Sequence, residues 1–201
     1  MSGDGAAADD MRALRSAIAG TEVIIAGVPA GLWDAPTPCT GVDVRGLASH
    51  LVTGNLYFAS VAAGLPVPDS DEDHLGADPA GAFRAAAASL VAALEAPGVL
   101  DRTYRVPAGP VPGYALIEIR LIEHLGHGWD LAKATGQAAP FPEDTAERGL
   151  AIARRQLRDR PEGAFGAQVE VPAHAPAIDR LAGFLGRRAS SDGDEAAANS
   201  G

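Results

Sequence analysis

The sequence has a single cysteine, few aromatic residues and no long uninterrupted apolar stretch. One cysteine, Cys39, among 201 residues excludes an internal disulfide framework and a multi-cysteine zinc site, and it is typical of a reducing compartment. No run of about 18 or more apolar residues is present, so we expect no membrane-spanning helix. The first ten residues, MSGDGAAADD, do not have the apolar core of a signal peptide. Together these features predict a cytoplasmic protein.

Basic residues are scarce as well. Lys and Arg total 16 against 26 Asp and Glu, which gives a net charge of −10. Proteins that bind nucleic acid or anionic membranes neutralise phosphates with clustered Lys and Arg, so we expect neither partner. The chain also has no glycine-rich phosphate loop after a strand and no G-x-S-x-G motif. Hydrophobic residues make up 47% of the sequence, which predicts one globular domain.

Helical periodicity is the dominant pattern, and we predict an all-α helical bundle. Asp43 and Asp78 have the positions of helix N-caps, and Pro79 follows Asp78 where its missing N–H has no cost. The segment RTYRVPAGPVPG alternates around a Gly/Pro turn and predicts a small hairpin. We expect a disordered N-terminus over 1–7, one helical-bundle domain over 8–188 and a disordered tail over 189–201. The predicted helices cover about 8–29, 43–63, 79–95, 114–135, 141–161 and 175–188.

The segment LIEHLGHGWDLAKATG, residues 121–136, concentrates the polar chemistry of the chain. Glu123 and His127 are one helical turn apart and share a face with Arg120 and Asp130. One interpretation is a solvated face whose charges pair at i,i+3 and i,i+4. The other is a metal site, which needs a third ligand from elsewhere in the chain.

His50, on the second predicted helix, is the candidate third ligand. It shares the more apolar face of that helix with Leu47, Gly54 and Tyr57, so we expect it to point inward. It is either a hydrogen-bonded core histidine or a metal ligand, because a buried ring nitrogen needs a partner. Two histidines and one carboxylate hold zinc with positions left open, and the same donors hold iron or nickel. We expect Cys39 to be a structural residue. We expect the remaining histidines, His74 and His174, to be solvated.

Two motifs resemble a known family. LWDAPTPCTGVDVRGLASHLVTGN and EHLGHGWDLAKATG are similar to actinobacterial proteins that resemble the N-terminal domain of mycothiol-dependent maleylpyruvate isomerase. That domain is a DinB-like four-helix bundle, and the resemblance extends from about Leu32 to Arg187. It implies a divalent metal, with zinc preferred over nickel or iron, held by His50, Glu123 and His127.

The sequence departs from the family pattern at three points. Val42 replaces a tryptophan, and His124 replaces an apolar residue, so His124 competes with Glu123 as a candidate ligand. The isomerase also carries an additional C-terminal domain, whereas this chain has only a short ending. Isomerase activity on maleylpyruvate is therefore not carried over.

The function implied by the resemblance is a metal-dependent enzyme that uses mycothiol for S-transfer or isomerisation. Its partners would be this thiol and a small electrophilic substrate. No catalytic residue is assigned; Arg120 is predicted to contact a substrate carboxylate, and Asn55 and Tyr57 are predicted to line the pocket. The alternatives are a non-catalytic metal- or ligand-binding module, a thiol-independent biosynthetic enzyme, and a structural histidine–glutamate cluster without metal. Both a monomer and a homodimer are compatible with the sequence.

Overall fold

Helices make up most of the fold. The computed structural model describes residues 3–70, 72–107, 109–158 and 166–188. The predicted helical bundle, with its extra short helices and its hairpin, is confirmed over these residues. The elements are α1 (Gly3–Ala26), a 3-10 turn (Ala30–Leu32), α2 (Val44–Ala63), α3 (Pro79–Leu94), β1 (Thr103–Val106), β2 (Gly109–Pro112), α4 (Gly113–Ala134), α5 (Glu143–Gln156) and α6 (Ala177–Phe184).

The first four helices form a four-helix bundle. α2 packs against α3 and α4, while α1 packs against α4 and α3, so the four helices enclose one core. α5 and α6 pack against each other and cover a further side of α4. Aliphatic and aromatic side chains from all four bundle helices fill the interior, and burial of this apolar surface stabilises the fold. They include Leu14, Ile25, Leu47, Leu51, Phe83, Leu90, Leu116, Leu121 and Leu125.

Both predicted N-caps are confirmed. The Asp43 side chain accepts a hydrogen bond from the backbone N–H of Gly46 at 2.7 Å, and α2 begins at the next residue. Asp78 accepts from the N–H of Gly81 at 2.9 Å, with Pro79 as the first residue of α3. Each cap satisfies a backbone donor that the first turn of a helix leaves free. The Asp43 cap matters most here, because it fixes where α2 begins and hence where His50 lies.

The predicted hairpin is also confirmed, and it leads directly into α4. β1 and β2 pair antiparallel, with Thr103 opposite Pro112 and Val106 opposite Gly109. α4 begins at Gly113, whose N–H donates to the carbonyl of Arg102 at 2.8 Å. A side chain at Gly113 would collide with the backbone at Val99 and Leu100, so glycine permits this close approach.

The first helix differs from the sequence prediction at both of its ends. α1 begins at Gly3, so residues 3–7, which were predicted to be disordered, are helical, and it ends at Ala26, before the predicted end near 29. The carbonyl of Ala6 accepts a hydrogen bond from Arg148 Nη2 at 2.9 Å, a contact between residues distant in sequence that holds the first turns of α1 against α5. Residues 1–2 and the predicted tail, 189–201, lie outside the described residues. Within the described residues, no helix combines the length and apolarity needed to cross a membrane.

Candidate metal centre

α4 carries the polar cluster in a setting that the sequence did not predict. It packs against α1, α2, α5 and α6, so both its apolar side and its polar side are covered. Arg120, His124 and Asp130 are buried almost completely, and His127 is also buried. The interpretation of this face as an ordinary solvated surface is therefore wrong. Buried polar groups need specific partners, and their partners define the site.

Three side chains from two helices converge beside α4. His50 Nε2 hydrogen-bonds to Glu123 Oε2 at 2.9 Å, and His127 Nε2 lies 3.4 Å from the same oxygen. One ligand atom from each of the three residues lies within 4.8 Å of the other two. The sequence-predicted ligand set is therefore brought together. The His50 side chain is 53% exposed, however, so the prediction that it points inward is wrong; it lies at the rim of the cluster.

The electrostatics of this cluster favour an ionised Glu123. Burial raises the pKa of Glu123, but hydrogen bonds from His127 and His50, together with the charges of His127 and Arg120, outweigh it and lower the pKa well below its usual value. Burial lowers the pKa of His127, but hydrogen bonds to Asp130 and Glu123 raise it overall. The cluster thus presents a carboxylate between two imidazoles, and a cation would compete with protons for it.

Asp130 orients the ring of His127. The Nδ1–H of His127 donates to Asp130 Oδ2 at 3.2 Å, which leaves Nε2 directed at Glu123. Arg187 donates from Nε and Nη2 to the same oxygen of Asp130, at 3.3 Å each. Carboxylates commonly hold metal-binding histidines in this way, through the ring nitrogen that does not bind the metal. The spacing in the sequence placed Asp130 on the correct face but gave no indication of Arg187, which follows α6.

A cavity of about 640 Å³ opens beside the three side chains. This volume lies within the range of small-molecule sites. The loop before α2, the helices α2 and α4, and the segment after α6 all contribute to its walls. Besides His50, Glu123 and His127, its lining includes the side chains of Cys39, Val42, Leu47, Ile122, Leu185 and Arg187.

Cys39 is a cavity residue that the sequence analysis treated as structural. Its thiol forms a second group of candidate ligands with His127 and Asp130, again with ligand atoms within 4.8 Å of one another. Burial raises the pKa of Cys39, as do the charges of Asp130 and Glu123, although Arg187 opposes them. The thiol is therefore held in its protonated form. The loop that carries it is far from α4 in sequence, so local spacing could not reveal this contact.

Arg120 and Asn55 lie behind the cluster, out of contact with the cavity. The Asn55 side-chain oxygen accepts hydrogen bonds from Arg120 Nη2 and from His124 Nε2, both at 3.0 Å, and all three residues are buried. Tyr57 packs its ring against Phe58 and does not line the cavity either. The predicted substrate contact by Arg120 and the predicted pocket lining by Asn55 and Tyr57 are therefore wrong for this cavity.

His124 does not join the candidate ligands. Its ring is completely buried and packs edge-on against Phe83, with ring centroids 5.6 Å apart. Burial, reinforced by the charge of Arg120, lowers the pKa of His124 well below its usual value, so the ring is neutral. Among the described residues, neither group of candidate metal ligands includes it. His124 is therefore not placed to replace Glu123 as a metal ligand, as the sequence analysis had considered.

The helical bundle, with its His–Glu–His cluster between the second and fourth helices, is consistent with a DinB-like fold. The chain belongs to the mycothiol maleylpyruvate isomerase N-terminal domain family, whose model matches residues 6–132, and the resemblance found in the sequence is confirmed. The match includes His50, Glu123, His127 and Asp130.

Two relatives from Mycobacterium tuberculosis are similar over most of their length. They are Rv0738 from strain ATCC 25618 / H37Rv and MT0763 from strain CDC 1551 / Oshkosh, both described as uncharacterized proteins. Each is 36% identical over 167 residues, which cover 82% of this chain and 90% of the relative. No solved structure matches the chain.

Proposed function

We propose that the protein holds one divalent cation through His50, Glu123 and His127 and uses it to activate a low-molecular-weight thiol, mycothiol. The thiol would then be transferred to a small electrophilic substrate or would add to it reversibly and isomerise it. The observation that carries this proposal is the convergence of the three ligand atoms, within 4.8 Å of one another, on the wall of a 640 Å³ cavity. The family description, which names mycothiol and an isomerase, supports the choice of thiol.

The donor set fits a divalent cation. Two imidazole nitrogens and one carboxylate oxygen are the donors of many zinc sites, and nickel and iron accept them too. The pKa of Glu123 is lowered, which favours its ionised form, and Asp130 already holds the His127 ring through Nδ1, so that Nε2 is directed at Glu123. The hydrogen bonds that join His50 and His127 to Glu123 occupy the position where a cation would bind instead. Three protein ligands leave at least one coordination position for a further ligand.

A bound divalent cation supplies one thing, a lower pKa for a coordinating thiol, which gives a thiolate at neutral pH. The residues of the chain do the rest. His50, Glu123 and His127 fix the point of attack, and Asp130 prevents the His127 ring from turning. Leu47, Ile122 and Leu185 form an apolar wall, which limits the access of water to the reacting atoms.

The test is calorimetric binding of mycothiol to the protein with and without zinc. We expect binding to the zinc-loaded protein and none after chelation, because the thiol sulfur needs the cation. S-methyl mycothiol is the matched control, since it keeps the sugar body and lacks the thiol; it should bind weakly in both forms. Binding of mycothiol that does not depend on zinc would refute the proposal. Conjugation of a fluorogenic electrophile, measured on the same samples, then tests turnover.

One observation favours a second candidate, a module that binds a thiol or other small ligand without turnover. Among the described residues that line the cavity, Cys39 and Arg187 are the ionisable groups besides the three candidate ligands. A protonated thiol and a guanidinium do not serve as general bases at neutral pH. Zinc-dependent thiol binding without conjugation or isomerisation of any electrophile would select this candidate.

A further inference from the structure

Arg120 places a buried positive charge next to one of the candidate ligands. Its side chain is only 2% exposed, and Nη1 lies 3.9 Å from Glu123 Oε2, too far for a hydrogen bond. Its hydrogen-bond acceptors are neutral: Asn55 Oδ1 at 3.0 Å and the carbonyl of Leu51 at 3.4 Å. Among the described residues, Glu123 is the carboxylate within ion-pair distance of this guanidinium. The charge of Arg120 is therefore directed at the cluster.

The bundle is shaped to hold this charge. A Cβ at Gly54 would lie 2.6 Å from Arg120 Nη1, so the glycine on α2 leaves the space that the guanidinium fills. The guanidinium also lies over the ring of Phe58, 5.5 Å from its centroid. Arg120 Nε nevertheless has no hydrogen-bond partner in the structure. A neutral side chain would fill this space at lower cost in desolvation, so packing alone does not explain an arginine here.

We propose that the buried charge of Arg120 acts on the site through space: it weakens the binding of the divalent cation and strengthens the binding of an anion in the cavity. This inference rests on the proposed function, because it concerns the same site. A divalent cation bound to the ionised Glu123 gives the site a net charge of +1. The positive charge of Arg120 raises the net charge of the site to +2. A thiolate is the kind of anion that such a site retains.

The distances make the effect measurable. A cation about 2 Å from Glu123 Oε2 would lie at most about 6 Å from Arg120 Nη1. Repulsion at this separation is weakened little by water, because the arginine is buried. Coulomb's law with the dielectric constant of bulk water, about 80, already gives about a tenfold effect on cation affinity, and the lower effective constant of a buried site gives a larger one.

The first experiment compares zinc affinities, measured on the full chain by competition with a fluorescent chelator. We expect Arg120→Met to bind zinc about tenfold or more tightly than the wild type, and Arg120→Lys to stay within about threefold of it. Arg155→Met is the matched control, because Arg155 pairs with another α4 carboxylate, Glu118, away from the cavity. It should leave zinc affinity unchanged. Unchanged or weaker zinc binding by folded Arg120→Met overturns the inference.

The second experiment measures an anion on the cobalt-loaded protein, with azide as the probe and the visible spectrum as the readout. We expect Arg120→Met to bind azide several-fold more weakly, because the site loses a positive charge. A purely structural role for Arg120 would move zinc and azide affinities in the same direction, through a loosened site. Opposite movements support the inference, and parallel movements overturn it.

If Arg120→Met does not fold, the variant Asn55→Asp tests the same effect of the Arg120 charge on zinc and azide binding. The new carboxylate would neutralise Arg120 in place, because the Asn55 side-chain oxygen already accepts from Nη2. The expected result is again tighter zinc binding and weaker azide binding. A wild type that binds no zinc refutes the proposed function and this inference with it. A wild type that binds zinc, with an Asn55→Asp variant of unchanged affinities, overturns this inference alone.

Discussion

Substitution of His50 by alanine tests the metal centre with little damage to the fold. The side chain is half exposed, and its described polar contact is the hydrogen bond to Glu123. A partly exposed pair of this kind contributes about 0–1 kcal/mol to the free energy of unfolding. The metal-free variant should therefore unfold close to the wild-type temperature. Its response to zinc should differ strongly, because it has lost one of three ligands.

The size of the difference follows from mass action. A ligand at 100 times its dissociation constant raises the free energy of unfolding by about 2.7 kcal/mol when it binds only the folded state. In a domain of 150–250 residues, each kcal/mol shifts the unfolding temperature by about 2–4 °C. We therefore expect zinc to raise the unfolding temperature of the wild type by about 5–11 °C. His50→Ala should lose nearly all of this shift.

The assay is thermal unfolding, followed by circular dichroism, of chelator-treated protein with and without added zinc. His74→Ala is the control, since His74 lies in a loop and hydrogen-bonds to the backbone carbonyl of Asp69, away from the cluster. It should keep the full zinc shift. The reasoning is refuted if His50→Ala shows the same shift as the wild type, or if the wild type shows none.

Three further substitutions test the surroundings of the site. Asp130→Asn should lower zinc affinity about 10–100-fold, measured by chelator competition, because the charge that orients His127 is lost; an unchanged affinity would contradict this role. Gly54→Ala should lower the free energy of unfolding in urea by about 1–3 kcal/mol, since the new methyl group collides with the Arg120 guanidinium, and an unshifted midpoint would contradict the packing described. Burial raises the pKa of Glu118 above its ordinary value of 4.5, although Gln156 and Arg155 oppose it. The stability that its protonated form contributes is therefore lost as the pH rises from 4.5 through the folded pKa. Glu118→Gln should therefore lose less stability than the wild type over that window, and parallel pH curves from urea denaturation would refute this.

The local structure could be predicted wherever it depends on neighbours in the sequence. Asp43 and Asp78 cap their helices because a short polar side chain reaches a backbone N–H three residues on, whatever the rest of the fold does. The hairpin at 103–112 likewise follows from a Gly/Pro turn between alternating residues. The early start of α1 could not be predicted in this way, because its first turns contact Arg148, which is distant in the sequence.

The convergence of the candidate ligands was also predicted, but the environment of each one was not. Helical spacing shows that Arg120, Glu123 and His127 share a face. The second predicted helix offers His50, and the family resemblance supports that choice. Spacing cannot show what covers that face. α2 covers it here, so Arg120 is buried against Asn55 instead of reaching a substrate. Contacts between residues distant in sequence were beyond reach for the same reason, as with Arg187 and Asp130.

The two helices contribute unequally to the candidate metal centre. On α4, Glu123 lies next to the buried Arg120, and His127 is fixed by Asp130, so this half of the ligand set is organised before any cation binds. On α2, the described polar contact of the His50 side chain is to Glu123 itself, and half of that side chain faces solvent. A cation would replace the contacts of both histidines with Glu123, but His127 would keep its hydrogen bond to Asp130. Exchange of cations and entry of a thiol are therefore expected to occur past His50, because moving this exposed side chain leaves the hydrogen bond between His127 and Asp130 in place.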